Sequence, residues 1–320
     1  MIYLDNAATS WPKPRAVVQA VCRALEKAGG NPGRTNHHLS FGAAEMIQEC
    51  RENLARLFHI ENPLRICFTA NATEALNLAL KGLLSPGDHV ICSSMEHNSV
   101  WRPLVRLQEG GVEVSIAEPG PGGVVSADAV AAQLRRNTRL IAIIHASNVS
   151  GAITPAAEIG GLAHKHGIPL LLDAAQSAGA IPLNVETMHV DLLAFPGHKS
   201  LLGPQGTGGL YVSEAVQLVP LKEGGTGSDS SNQHQPDDLP DRFESGTLNT
   251  PGIAGLNQGA LYVLDRGVDE IRRYEEELTQ QLVVGLAETE NVAIYGPPPG
   301  GAASSSGVVQ HRRHGFRSCF

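Results

Sequence analysis

Short apolar runs recur along the first two thirds of the chain, separated by longer segments with the spacing of helices. Each run is rich in Val, Ile and Leu and has the length of a strand buried on both faces of a sheet. The runs are Arg65 to Thr69, His89 to Ser93, Val112 to Ile116, Leu140 to His145, Pro169 to Asp173, Val190 to Phe195 and Gly208 to Val212. We predict a buried strand at each position.

Helical spacing fills the gaps between these strands and continues beyond the last one. The segments Glu74 to Leu84, Asp128 to Arg135 and Pro155 to His166 lie between predicted strands, so strand and helix alternate. This alternation is typical of an α/β protein with a mostly parallel sheet covered by helices on both faces. Two later helical segments, Gly252 to Leu264 and Val268 to Thr289, predict the start of a second, smaller domain.

Two segments lack a periodic pattern. The segment Gly224 to Asp241 is rich in Gly, Ser, Asp, Asn and Gln, which predicts a long exposed loop. From Gly296 the chain is low in complexity, and His311 to Phe320 is basic without helical or strand periodicity. We expect an incomplete second domain, and a frameshift or early stop near Gly300 is our hypothesis for this loss of pattern.

Composition narrows the class of partner. A formal net charge of -8 argues against a nucleic-acid or anionic-membrane surface, which needs clustered Lys and Arg. The five cysteines are scattered and never spaced as C-x-x-C, so we predict neither a disulfide framework nor a zinc site. The chain begins without a signal-peptide pattern, and no apolar stretch reaches the length of a membrane span. We expect a cytoplasmic protein that acts on a small molecule and binds neither nucleic acid nor membrane.

Ligands of open α/β sheets bind beyond the carboxyl ends of the strands, so the residues that follow each predicted strand are candidates. After Thr69 the chain enters a helix, whose free N–H groups suit a phosphate. Plain helix capping by Asn71 or Thr73 is the alternative. His97 follows the next strand and has the chemistry to stack on a planar ring or transfer protons, with a surface loop histidine as the alternative.

Asp173 and Lys199 each come at the end of a predicted buried strand. A carboxylate at Asp173 is costly to bury unless it has a positive partner, such as a protonated pyridine nitrogen. A capping aspartate at a strand-to-helix turn is the alternative. Lys199 is the only one of six lysines that directly follows a buried strand and precedes a glycine-rich turn. Desolvation there favours the neutral amine that a Schiff base requires, and a solvated loop lysine is the alternative.

Other kinds of site find little support. The neighbours His37 and His38, and the pair His164 and His166, have no carboxylate or cysteine at a metal-ligand spacing, so we predict no metal. The sequence contains neither G-x-S-x-G nor G-x-x-x-x-G-K-[ST]. The sequence motifs therefore give no support to a hydrolase or a nucleotidase function.

Taken together and in this order, these segments resemble the class V aminotransferase family, most closely its cysteine desulfurase and selenocysteine lyase branch. The resemblance spans residues 1 to 296 and includes Tyr3-Leu-Asp-Asn-Ala-Ala-Thr-Ser, Gly197-His-Lys and Arg242-Phe-Glu-Ser-Gly-Thr-Leu-Asn. It implies the fold type I of pyridoxal-phosphate (PLP) enzymes, with a mostly parallel seven-stranded sheet and an incomplete, smaller α+β domain. The implied boundaries are an N-terminal segment 1–20, a PLP-binding domain 21–250 and a C-terminal domain 251–320 with an atypical tail from about 297.

The resemblance also implies roles for particular residues. Lys199 would carry PLP as a Schiff base, Asp173 would keep the pyridine nitrogen protonated, and His97 would stack on the ring. The remaining implied contacts are Gln176 and Asn148 near the ring oxygen and the substrate, Ala72, Thr73 and His198 around the phosphate, and Thr226 from the other subunit of a homodimer.

The implied reaction removes sulfur from L-cysteine to give alanine and an enzyme persulfide, which a sulfur-acceptor protein would take over. The family's nucleophilic cysteine and carboxylate-binding arginine lie beyond the resemblance, and neither can be assigned here. Cys319 is the only late cysteine, but its surroundings do not resemble the family's cysteine loop. Pro196 is a second departure, because relatives usually carry a phosphate-contacting Ser or Thr there.

Two alternatives stay open at this point. Another class V reaction on a small amino acid, such as transamination or β-elimination, needs the same cofactor site without a persulfide cysteine. A truncated, inactive remnant that binds only PLP or a protein partner is the other.

Overall fold

The computed structural model describes residues 2–27, 29–33, 37–228, 232–297 and the backbone of 308–311. The helices are α1 (Arg15–Lys27), α2 (His38–Phe58), α3 (Ala72–Leu83), α4 (Asn98–Glu109), α5 (Ala127–Ala131), α6 (Ala156–Lys165), α7 (Thr250–Arg266) and α8 (Val268–Ala287). The strands are β1 (Ile66–Thr69), β2 (His89–Ser93), β3 (Glu113–Ala117), β4 (Thr138–Ile144), β5 (Leu170–Asp173), β6 (Leu192–Pro196), β7 (Gly208–Val212), β8 (Val292–Tyr295) and β9 (Val308–His311).

Seven of these strands form one sheet in the order β1-β7-β6-β5-β4-β2-β3. Strand β7 runs antiparallel to both of its neighbours, and the other neighbouring pairs are parallel. The predicted α/β architecture with a mostly parallel seven-stranded sheet is therefore confirmed. The carboxyl ends of β2, β4, β5 and β6 meet at one edge, which is where the site is expected.

Apolar side chains fill both faces of the sheet. Along β5, Leu170 and Leu172 pack into a core cluster with α2, α6 and α7, whereas Leu171 packs into a second cluster with α3 and α4. Because alternate residues of a strand point to opposite faces, this division explains why the sequence shows continuous apolar runs. The sheet therefore lies between two layers of helices.

One predicted helix is shorter than its sequence pattern suggested. The structure has α5 only over Ala127–Ala131, whereas the prediction extended from Asp128 to Arg135. After α5 the amides of Gln133 and Leu134 bond three residues back, to Val130 and Ala131. This tighter pattern ends the α-helix in a turn.

The later part of the chain continues with two helices and a hairpin-like strand pair. Helix α7 buries Ile253, Leu256 and Ala260 in the same core as α2, whereas α8 has no buried residue. Strands β8 and β9 pair antiparallel, so four residues of the tail predicted as atypical form a strand.

No helix in the described ranges combines the length and apolarity needed to cross a bilayer. The domain boundaries stay a prediction.

Candidate active site

A cavity of about 170 Å³ opens at the carboxyl ends of β4, β5 and β6, beside the N-termini of α3 and α4. It gathers eight of the nine predicted site residues, which are Ala72, Thr73, His97, Asn148, Asp173, Gln176, His198 and Lys199. Asn71, Leu76, Ser99, Ile144, Ala175 and Pro196 complete its lining. Residues more than a hundred positions apart therefore meet as the strand ends predicted.

The Asp173 carboxyl lies at the end of β5 and is only 2% exposed. Its Oδ1 accepts a hydrogen bond from the Ala175 amide at 2.9 Å, but the residues after β5 form turns and not a helix, so the alternative of an aspartate that caps a helix is wrong. Its Oδ2 is buried and has no hydrogen-bond partner in the described chain. Burial raises the pKa of Asp173, while the Ala175 amide and the nearby Lys199 and His97 lower it. The free oxygen is a site for a positively charged donor.

Lys199 follows β6 in the tight turn Gly197-His198-Lys199. Burial lowers the pKa of the Lys199 amine, and the Asp173 carboxylate partly opposes this effect. The turn needs glycine at position 197, because an added Cβ would lie 2.1 Å from Thr207 Oγ1. The result is an amine held near a carboxylate and driven towards its neutral, nucleophilic form.

The N-terminus of α3 forms another wall of the cavity. Asn71 is the N-cap, since its Oδ1 accepts a hydrogen bond from the Glu74 amide at 2.9 Å. The capping alternative is thus correct for Asn71, and Thr73 instead lies in the first turn with its Oγ1 at 2.8 Å from Ser99 Oγ. First-turn amides and a hydroxyl at the positive end of a helix dipole are suited to bind an anion.

His97 both caps α4 and lines the cavity. Its Nδ1 accepts a hydrogen bond from the Ser99 amide at 3.1 Å, which fixes the orientation of the ring. His198 also lines the cavity and has a buried Nδ1 without a hydrogen-bond partner among the described residues. Burial, with Lys199 and Lys13, lowers the pKa of His198, so this imidazole is driven towards its neutral form.

Glu96 does not line the cavity but bonds to Ser93 and to Ile144, which does line it, and it was not among the predicted residues. It is 7% exposed, and its Oε1 accepts hydrogen bonds from Ser93 Oγ at 2.6 Å and the Ile144 amide at 3.0 Å. These bonds join the ends of β2 and β4. Burial, together with Asp173, raises the pKa of Glu96 to about 8. The only sequence signal was its place next to His97 after a buried strand.

Thr226 is the predicted residue that lies elsewhere. It lines a separate cleft of about 440 Å³ beside Asn31, Gly33 and Thr247 of the same chain. Gln176 and Asn148 do lie in the cavity, and Gln176 Nε2 donates to the backbone oxygen of Ala7 at 3.2 Å. A single chain therefore brings all predicted site residues together except Thr226.

The described cysteines are poorly suited to attack a ligand in this cavity. Cys50, Cys67 and Cys92 are buried, and burial raises the pKa of each thiol. Cys22 is exposed on α1, and none of these four lines the cavity. Cys319 lies outside the described residues. In the described ranges no group of three or more His, Cys, Asp or Glu side chains is arranged for a metal ion.

The cavity fits the PLP that the sequence led us to expect. PLP presents a ring nitrogen, an aldehyde and a phosphate, and the cavity offers a matching group for each. These are the free oxygen of Asp173, the desolvated amine of Lys199 and the α3 N-terminus with the unpartnered nitrogen of His198. Asp173 Oδ2 has no hydrogen-bond partner among the described residues, and a protonated ring nitrogen would supply one.

Comparison with known families gives the class of the protein. Residues 2–315 match the sequence model of the class V aminotransferases, so the chain belongs to this family, whose members are PLP-dependent enzymes. The match continues beyond residue 296, where the resemblance was expected to end. The extent expected from the sequence was therefore too short.

Relatives with similar sequence and structure narrow the branch to the cysteine desulfurases. A probable cysteine desulfurase of Methanothermobacter thermautotrophicus is 37% identical over 93% of this chain and 75% of its own length. The apo structure of the cysteine desulfurase from Thermococcus onnurineus superposes with a TM-score of 0.90 at 34% identity, covering 98% of this chain and 79% of that one. A structure of SspA in complex with cysteine has a TM-score of 0.73 at 33% identity, over 82% of this chain and 73% of that one.

Proposed function

We propose that this protein is a cysteine desulfurase, which uses PLP in the cavity to remove sulfur from L-cysteine. The observation that carries the proposal is the presence in one cavity of a desolvated lysine amine and a buried carboxyl oxygen without a partner. The desulfurases among its relatives, and the neighbour solved with cysteine, support L-cysteine as the substrate.

In this proposal each wall of the cavity has one task. Lys199 would bind the aldehyde of PLP through its Nζ, and Asp173 Oδ2 would accept a hydrogen bond from the protonated ring nitrogen. His97, oriented by Ser99, would contact the ring. Thr73 and His198 would hold the phosphate with the first amides of α3, next to Ala72.

When bound, PLP supplies an electron sink for the bonds at the substrate α-carbon. Lys199 contributes acid–base chemistry, since its free amine lies in a site whose desolvation keeps its pKa below that of a solvated lysine. Asn148 and Gln176 orient the polar groups of ring and substrate. Pro196 lines the cavity and has neither the hydroxyl nor the amide hydrogen of a serine, so it offers the phosphate neither of these two donors.

A homodimer is part of the proposal. The cleft that contains Thr226 is separate from the cavity of the same chain, so Thr226 can serve a phosphate site only across a subunit interface. Sedimentation of the protein at micromolar concentration is expected to give twice the chain mass. We also propose that a separate acceptor protein takes up the sulfur.

A second reaction of the same family is favoured by one specific observation. None of the four described cysteines lines the cavity, and a persulfide requires a thiolate there. Transamination or β-elimination of a small amino acid needs the same Lys199 and Asp173 but no such thiol.

Product analysis distinguishes the two reactions. With PLP, L-cysteine and a thiol reductant, a desulfurase releases alanine and sulfide in equal amounts. We expect this result, and we expect Lys199→Ala to lower the rate about 10²–10⁴-fold because it removes the acid–base amine. Lys165→Met, which changes an exposed lysine of α6, is the matched control. Keto acid in place of alanine would instead support the second reaction.

A further inference from the structure

The N-terminal residues 7–13, which we name the strap, cross the turn that follows β6 and bind it through several hydrogen bonds. The backbone oxygen of His198 lies within hydrogen-bond distance of four donors. They are Thr9 Oγ1 at 3.2 Å, the Ser10 amide at 3.1 Å, Ser10 Oγ at 3.1 Å and Lys13 Nζ at 2.7 Å. A carbonyl oxygen has two lone pairs, so this concentration of donors is unusual. It fixes the plane of the peptide bond that precedes Lys199.

The strap has two further contacts with residues of the cavity. Ser10 Oγ lies 2.8 Å from the backbone oxygen of Lys199, and Gln176 Nε2 donates to the Ala7 oxygen at 3.2 Å. Lys13 Nζ also donates to Ser10 Oγ at 2.7 Å, which leaves the hydroxyl hydrogen for a backbone carbonyl. The strap is thus bonded both to the backbone of the turn that carries Lys199 and to the Gln176 side chain in the cavity.

The turn held by the strap contains an unfavourable backbone conformation. Leu202 has a φ of 60°, in the left-handed region that branched side chains rarely adopt. Its amide bonds to the Lys199 oxygen at 2.8 Å, and the Gly203 amide bonds to the Gly197 oxygen at 2.7 Å. Such conformations persist only where the surroundings hold them in place. The strap supplies part of that support.

Lys13 is the charged anchor of the strap. Its amine has two hydrogen-bond acceptors, and burial lowers the pKa of Lys13 to about 8. Lys13 does not line the cavity, so it reaches the reacting atoms only through the His198 carbonyl. A hydrogen bond from an ammonium group is stronger than one between neutral groups. Of the four contacts with the His198 oxygen, the one from Lys13 is therefore expected to have the largest effect when it is removed by mutation.

We propose that Lys13 is a positioning residue, which clamps the His198 carbonyl and thereby aims the Lys199 amine into the cavity. Ser10 relays the same clamp to the Lys199 backbone. The role of Lys199 itself rests on the proposed function, whereas the clamp is a property of the protein without cofactor. The two can therefore be tested separately.

Amide hydrogen exchange of the protein without PLP tests the clamp. We expect Lys13→Met to accelerate exchange about ten-fold in the peptide covering Gly197 to Gly203, the factor for losing a charged hydrogen bond at the low end of its range. Lys13→Arg keeps a cationic donor and is expected to retain most of the protection. Lys165→Met is the matched control and is expected to change nothing there.

A functional readout follows on the same variants. At limiting PLP, borohydride reduction and mass spectrometry give the fraction of Lys199 modified, which we expect to fall in Lys13→Met and to recover in Lys13→Arg. If Lys13→Met does not fold, Ser10→Ala removes the relay and is expected to accelerate exchange in the same peptide.

Two outcomes would overturn the clamp. One is unchanged exchange over Gly197 to Gly203 in Lys13→Met, and the other is acceleration spread evenly over the whole protein. Faster local exchange with no PLP on Lys199 in the wild-type protein would support the clamp and contradict the proposed function.

Discussion

At the scale of residues, two buried carboxyl groups share the carboxyl end of the sheet. Asp173 keeps one oxygen without a partner, and so does Glu96, whose Oε2 is buried. Burial raises the pKa of both groups, that of Glu96 to about 8, and the Asp173 carboxylate adds to the rise at Glu96. Glu96 is therefore mainly protonated at pH 7, which leaves Asp173 as the group that faces a cation.

This assignment predicts how Glu96 affects stability with pH. The folded-state pKa of about 8 lies above the ordinary value of 4.5, so the folded protein binds the proton more tightly. The free energy of unfolding therefore falls as pH rises from about 4.5 to about 8. Glu96→Gln carries no titrating proton, so its stability relative to wild type is expected to increase over this range.

Urea denaturation at several pH values between 5 and 8 measures the effect. Glu61→Gln, at an exposed glutamate, is the matched control and is expected to follow the wild-type curve. Parallel curves for wild type and Glu96→Gln would show that Glu96 is ionised in the folded protein throughout.

At the scale of elements, strands were easier to predict than helices. Every strand of the main sheet was predicted with its ends within two residues. Burial on both faces leaves an uninterrupted apolar run in most of them, whereas the edge strand β3 is only partly buried, so its predicted burial is wrong. Helices α1, α2 and α4 were not identified. Pro103 lies inside α4, where proline normally argues against a helix, and α2 is capped by His37, which is outside the usual set of capping residues.

The turn after β6 gives a prediction at this scale. Gly197→Ala would place a Cβ 2.1 Å from Thr207 Oγ1, in a turn where the Gly197 amide bonds to the Thr207 oxygen at 2.8 Å. We expect a loss of about 1–3 kcal/mol in the free energy of unfolding, typical of overpacking, and weaker PLP binding. Thermal denaturation and a PLP titration measure the two effects.

Gly161→Ala is the control for that substitution. Gly161 lies within α6, and nothing would lie within 4 Å of an added Cβ. We expect this variant to be about 0.5–1 kcal/mol more stable, because alanine favours a helix interior. Equal stability of Gly197→Ala and wild type would mean that the turn relaxes without cost.

At the scale of the whole molecule, the sequence predicted which strand ends carry the site but not what supports them. The cavity residues could be found because each follows a buried strand. Lys13 and Ser10 could not, since their contacts join positions 185 to 189 residues apart and arise only when the strap lies across the sheet edge. The cleft beside Thr226 likewise could not be predicted, because its lining residues come from segments far apart in the sequence.

Attachment of PLP to Lys199 can be measured by borohydride reduction followed by peptide mass spectrometry. We expect one reduced PLP adduct, located on the peptide that contains Lys199 and absent from Lys199→Ala. An adduct on another lysine of the wild-type protein, or no adduct after incubation with excess PLP, would contradict it.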